Sequence, residues 1–371
     1  IVSIIDTGID VNNPEFAGRI DPRSADLVVA GVVAPGDARS PSLQDIDGHG
    51  TSVASIIGSA KNDLGVHGVA PQATLLVFRA DKTGDPDTIL GAAISEGVTR
   101  SASFGARVLN FSLGSDEAGA EAQFRQIFGN TASNDIVVAI AAGNDQLASP
   151  EASAMAATSA QAAGTVIIVG AVNSASNIAS FSNRAGTAAD FYMVAPGVLI
   201  PTTNNNGSAT SLVNFSGTSA ATPFVVGAAA LIRELWPQLT AAEVVSILFE
   251  SATDLGDPGV DPIYGRGLLN VGAAVQPLGN STTGSVTGAS VQAATLSAAG
   301  GGAFGVSRVD LGDYVFLDGY GRDFRGSLND LAGRGPDLRF SAASYLRPHA
   351  AFASAGRPLG AGYAMLRMRE D

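Results

Sequence analysis

Cysteine is absent from the 371 residues, histidine occurs 3 times, tryptophan once, and aromatic residues make up only 6% of the chain. Without cysteine there is no disulfide, no zinc thiolate centre and no thiol nucleophile. The absence does not assign a compartment, because secreted chains also avoid cysteine. With so few aromatics, the 46% of hydrophobic residues must build a core mainly from Ala, Val, Ile and Leu. Basic side chains are outnumbered, 21 Lys and Arg against 34 Asp and Glu, for a net charge of −13. An acidic surface argues against nucleic acid or an anionic membrane as a partner. No apolar run reaches the roughly 18 residues of a spanning helix, so direct membrane insertion is not expected. The chain opens on Ile-Val-Ser-Ile-Ile at 1–5 with no visible signal segment. The expectation is that any signal or propeptide precedes this point.

What is present is an alternation of short β-branched runs and helical stretches of small residues. Strands are expected at 1–6, 73–79, 106–111, 136–141 and 164–172. Helices are expected at 50–60, 87–103, 120–128, 218–236 and 240–251. Pro237 ends the fourth helix, and Thr240 with Glu243 makes a capping box for the fifth. Near-continuous apolar strands separated by helices predict an α/β three-layer sandwich with a central, mostly parallel sheet. Such sheets place their sites at the carboxyl ends of strands. The α/β domain is expected to span 1–278. A Gly/Ala/Ser/Thr-rich linker follows at 279–303, then a β-rich C-terminal extension at 304–371.

Few side chains can shuttle a proton near neutral pH. His49 lies in Asp-Gly-His-Gly-Thr-Ser at 47–52, where an expected helix begins and glycines flank the imidazole. Asp6 ends the first strand. A carboxylate there needs a partner, and an imidazole Nδ1–H is one. Asp-Thr-Gly alone also serves turns and aspartic proteases, but those need two copies and the chain has one. Ser219 stands where a small-residue stretch enters a long apolar helix. It could be a simple N-cap, or it could use the orphan N–H groups and partial positive charge of the helix terminus. Asn144 follows the run Ile-Ala-Ala-Gly at 140–143 and is either a turn residue or an amide donor.

Taken together these residues form a pattern. The runs are Ile-Ile-Asp-Thr-Gly-Ile at 4–9, His-Gly-Thr-Ser-Val-Ala at 49–54 and Gly-Thr-Ser-Ala-Ala-Thr-Pro at 217–223. In sequence and chain order they resemble the signature blocks of the subtilisin-like serine proteases (subtilases, peptidase family S8), over about residues 1–278. His49 argues against the related sedolisins, which carry an acid there. The resemblance implies a serine endopeptidase with Asp6, His49 and Ser219 as its triad and Asn144 as an oxyanion donor. It needs no cofactor for catalysis. Two alternatives differ in class: a catalytically weak subtilase serving as a binding or maturation module, and an ester hydrolase using the same triad. The first would lack one of the four residues, and none is missing.

The resemblance also implies a cleft that binds extended polypeptide by strand addition. Ser112, Leu113 and Gly114 form one wall of its P1 pocket, and Ala141, Ala142 and Gly143 the other. The pocket floor has no counterpart legible in the sequence. The loop at 62–71 resembles one that often binds a structural calcium ion. Glu15, Asn62 and the carbonyls of Leu64 and Val66 are its ligand candidates. His67 in that loop reads as structural. The run at 314–324 resembles the junction between protease and translocator in bacterial autotransporter subtilases. The 67 residues after 304 are too few for a barrel of eight strands. A monomer, secreted or at the bacterial cell surface, is the expectation.

Overall fold

The computed structural model of the chain describes residues 1–28, 39–280, 282–283, 291–292, 313–327 and 347–348. Seven parallel strands make the central sheet. They are β1 (Val2–Asp6), β2 (Ala25–Asp26), β3 (Leu75–Arg79) and, after a small antiparallel hairpin of β4 (Asp81–Lys82) and β5 (Asp85–Ile89), β6 (Val108–Phe111), β7 (Val137–Ala141), β8 (Val166–Val172) and β9 (Tyr192–Pro196). Their order is β2-β3-β1-β6-β7-β8-β9. The helices are α1 (His49–Gly58), α2 (Gly91–Ser103), α3 (Ala120–Ser133), α4 (Ala152–Met155), α5 (Thr218–Leu235), α6 (Ala241–Glu250) and α7 (Val271–Ala274). A second hairpin, β10 (Ile200–Thr203) and β11 (Leu212–Phe215), precedes α5.

Every residue of β1, β3, β6, β7 and β8 is buried, as strands covered on both faces must be. Alternation along each strand divides the core in two. Val2, Ile4, Val77 and Val169 pack with α1, α5 and α6. Ile5, Phe78, Phe111 and Ile140 pack with α2 and α3. Each large aliphatic side chain buried this way contributes about 1.5–3 kcal/mol. With aromatics scarce, small side chains such as Ala221, Ala228 and Ala229 bring α5 close under the sheet.

The expected fold class is the one observed. The helix expected at 87–103 begins later, at Gly91. Residues 87–89 belong to β5, where Pro86, Thr88 and Ile89 favour extended backbone. The third helix runs on to Ser133, and Thr240 and Glu243 form the reciprocal capping box.

Strand order reverses between β1 and β6. On one side of β1 lie β3 and then β2 at the edge; on the other, β6 to β9 follow in chain order. That switch point opens a crevice at the carboxyl ends of β1, β6 and β7. Parallel register brings Asp6, Phe111 and Ala141 to this same edge.

Beyond α7, β12 (Thr282–Thr283), β13 (Val291–Gln292), β14 (Asp313–Leu317), β15 (Asp323–Ser327) and β16 (Arg347–Pro348) form an antiparallel sheet ordered β13-β12-β14-β15-β16. Phe316 and Phe324 are buried in the α5–α6 core, with the Phe324 ring 5.4 Å from that of Trp236. Arg322 and Asp318 form a fully buried ion pair at 2.7 Å. Arg322 also donates to the carbonyls of Ala274 and Gln276 and lies over the Trp236 ring. Most of the expected linker, and most of the extension after Ser327, lie outside the described residues.

Candidate active site

Asp6 is the last residue of β1 and is 2% exposed. Its Oδ1 accepts from His49 Nδ1 at 2.7 Å and from the Thr7 N–H at 2.8 Å. Its Oδ2 is buried with no hydrogen-bond partner among the described residues. His49 opens α1. Its ring meets Phe215 of β11 edge-on at 5.2 Å. Burial pushes the imidazole pKa down. The Asp6 charge and hydrogen bond, with Asp47 and Asp45 behind them, more than offset this, so the net shift is upward.

The glycines beside His49 do more than leave it accessible. A β-carbon on Gly50 would fall 2.2 Å from the Gly8 carbonyl oxygen, so only glycine lets α1 pack this close to the end of β1. Asp45 holds the helix there. One carboxylate oxygen accepts from Thr7 Oγ1 and from the N–H groups of Asp47 and Gly48. The other accepts from the N–H and hydroxyl of Thr51.

Ser219 sits in the first turn of α5. The preceding Gly217 has φ 145°, a conformation that only glycine adopts readily. The Ser219 N–H donates to no group among the described residues, as expected of an orphan donor at a helix start. Thr218 donates its N–H at 2.9 Å and its hydroxyl at 3.1 Å to Asn144 Oδ1. Both bonds fall on the oxygen of Asn144, and its Nδ2 group makes no hydrogen bond among the described residues.

Pro223 lies inside α5 and has no N–H for the Ser219 carbonyl four residues back. Ser112 supplies that donor, its Oγ bonding the Ser219 carbonyl at 2.8 Å. In return Ser219 Oγ donates to the Ser112 carbonyl at 3.0 Å. The end of β6 and the start of α5 are thus tied in both directions.

An open cleft of about 720 Å³ runs along this edge, lined by Asp6, His49, Ser112, Leu113 and Gly114. The β4–β5 hairpin and the start of α2 form its far bank, from Pro86 to Gly91. Ala141 ends β7 and Ala142 follows it, and the Gly143 N–H donates to Thr218 Oγ1 at 3.3 Å. The 142–147 loop is held by Asn183, which donates to the Ala142 carbonyl and accepts from the N–H groups of Asp145 and Leu147.

The fold therefore joins Asp6 to His49, Ser112 to Ser219, and Asn144 and Gly143 to Thr218. Asp45, Asn183 and Phe215 are positioning residues that the sequence reading missed. Asp45 had a legible signal, an acid just ahead of a helix start. Asn183 and Phe215 had none, because their contacts come from distant segments.

At the loop of residues 62–71, Glu15 is fully buried and its Oε2 has no partner among the described residues. Asn62 approaches Glu15 Oε1 at 3.3 Å, and its own Oδ1 accepts from the Leu64 N–H. His67 Nδ1 lies 3.3 Å from the Gly68 carbonyl, within its own loop.

The profile of the subtilase family matches residues 1–267. Subtilisin amylosacchariticus of Bacillus subtilis subsp. amylosacchariticus is 38% identical over 276 residues, covering 74% of this chain and 65% of that protein. The chain thus matches a little under two thirds of that relative's length. Subtilisin of Bacillus pumilus is also 38% identical over 276 residues, with 90% of its length covered. Among solved structures, the prenylagaramide maturation protease PagA matches with a TM-score of 0.58 at 27% identity. That match covers 74% of this chain and 91% of the protease chain.

Proposed function

The chain belongs to the subtilase family, and on that premise we propose that it is a serine endopeptidase with Asp6, His49 and Ser219 as its triad. The observation that carries this reading is the Asp6–His49 pair at 2.7 Å on the same cleft as Ser112, which is hydrogen-bonded in both directions to Ser219. Asp6 fixes the imidazole with its proton on Nδ1, leaving Nε2 as the base. The Ser219 hydroxyl turns from the Ser112 carbonyl to His49 Nε2 once substrate is bound; such bonds often align only in the complex. Ser219 Oγ attacks the scissile carbonyl, and its proton passes to His49. The oxyanion is held by the Ser219 N–H and Asn144 Nδ2. His49 protonates the leaving amine, then activates the water that releases the acyl group.

Extended polypeptide is the substrate class. The segments at 112–114 and 141–143 supply main-chain groups on either side of it. PagA, the structural neighbour, is itself named a maturation protease, which suits a polypeptide substrate. Glu15 and Asn62, with the Leu64 and Val66 carbonyls, would hold a structural calcium ion. The orphaned Glu15 oxygen supports this. Secretion or bacterial surface display, with 304–371 as a junction segment, completes the proposal. No helix among the described residues is long and apolar enough to cross a membrane. Surface proteolysis of intact cells would test the location, since protection of the protein from external protease would contradict it.

The test of activity is labelling with a serine-directed phosphonate. Covalent modification is expected and should vanish in Ser219→Ala. Folded protein that takes up no label would refute the triad assignment.

A further inference from the structure

The carbonyl under attack must lie at Ser219 Oγ. The side chain of that same residue therefore enters the gap between the two segments flanking Ser219. One is 112–114, bonded to Ser219 through Ser112. The other is the stretch around Gly143, bonded to Thr218. The gap is occupied. The Glu151 N–H donates to the Ala142 carbonyl at 3.0 Å, and its carboxylate reaches between the two glycines. A β-carbon on Gly114 would fall 2.0 Å from Glu151 Oε2, and one on Gly143 would fall 2.5 Å from Oε1. Both walls must be bare backbone for this carboxylate to fit.

Nothing among the described residues satisfies it. The side chain makes no hydrogen bond or ion pair there. Its charged neighbours are acids, Asp116 and Asp145. Burial, with those two charges, pushes the carboxyl up to about 7. The adjoining cleft adds Asp47, Asp87 and Glu117 and no lysine or arginine. An apolar side chain entering the gap would bury the carboxyl still without a partner, which is costly. A guanidinium or ammonium would supply the missing donors and offset the acidic surroundings.

Resting on the peptidase reading above, we infer that Glu151 is a specificity-determining residue that selects arginine or lysine at the position whose carbonyl is cleaved.

Fluorogenic peptides differing only at that position, Arg, Lys or Leu, would test this. The protein should favour Arg and Lys over Leu in kcat/KM by about a hundredfold, and Glu151→Gln should erase most of that ratio. Glu151→Asp, which keeps the charge, should retain part of it. A second measurement needs no variant: benzamidine, a planar cation, should protect Ser219 from phosphonate labelling. Preference for Leu, a ratio unchanged in Glu151→Gln, or absence of benzamidine protection would each overturn the assignment while leaving the peptidase reading intact. No cleavage of any peptide, together with no labelling, would remove that reading and this assignment with it.

Discussion

Asp6 spends one carboxylate oxygen on two donors, Thr7 N–H and His49 Nδ1, and the other is sealed from solvent. The imidazole is therefore fixed in one tautomer and biased toward its protonated form. The sign of the pH effect follows. A base with a raised pKa stays protonated, and inactive, to higher pH than ordinary histidine. The acid limb of kcat/KM should thus lie above the usual imidazole value of 6.5. Asp6→Asn removes the upward push, so the limb should move down, while kcat falls by about 10⁴-fold because the tautomer is wrong. A pH–rate profile checks both; an unmoved limb would contradict the role given to Asp6. Glu151 adds a second titration. Facing Asp116 and Asp145, it ionises only near 7, so the Arg:Leu preference should climb as pH rises through that value. Taking the ratio cancels the titration of His49.

At the scale of elements, the junction of β6 with α5 depends on a proline. Pro223 leaves the Ser219 carbonyl without a helical partner, and Ser112 fills the gap. Ser112→Ala should destabilise the protein by about 1–3 kcal/mol in urea melts and lower kcat/KM as well. The loss should shrink in a Pro223→Ala background, where residue 223 regains an N–H for that carbonyl. Equal losses in both backgrounds would separate the proline from the serine. These contacts were only half legible. The run at 217–223 marked the helix start, but the bond from Ser112 links segments 107 residues apart.

Over the whole molecule, the β14–β15 hairpin shares the α5–α6 core, with Phe324 against the single tryptophan of the chain. Trp236 is 1% exposed and so reports on this docking. Phe324→Ala should cost about 3–5 kcal/mol and shift Trp236 emission to the red, as one side of the ring opens to water. An unshifted spectrum would mean that the hairpin does not cover the ring. The same melts, run with a calcium chelator, test the Glu15 loop: Tm should fall, and an unchanged Tm would count against a bound ion.

By itself the sequence determined the layered α/β fold and its main candidates. Apolar runs of strand length between helices leave few other packings, and Asp6, His49, Asn144 and Ser219 each stand at an element boundary that local residues mark. Tertiary structure alone decided which distant segments meet. Asn183 holds the 142–147 loop, Phe215 lies against His49, the Phe324 hairpin closes over Trp236, and Glu151 stands between two glycines. The reason is physical. Periodicity and capping are written within a few residues of one another, whereas these contacts depend on how the strands are ordered and how closely their ends approach. Glu151 comes between Gly114 and Gly143 only because β6 and β7, whose ends lead into those glycines, lie side by side.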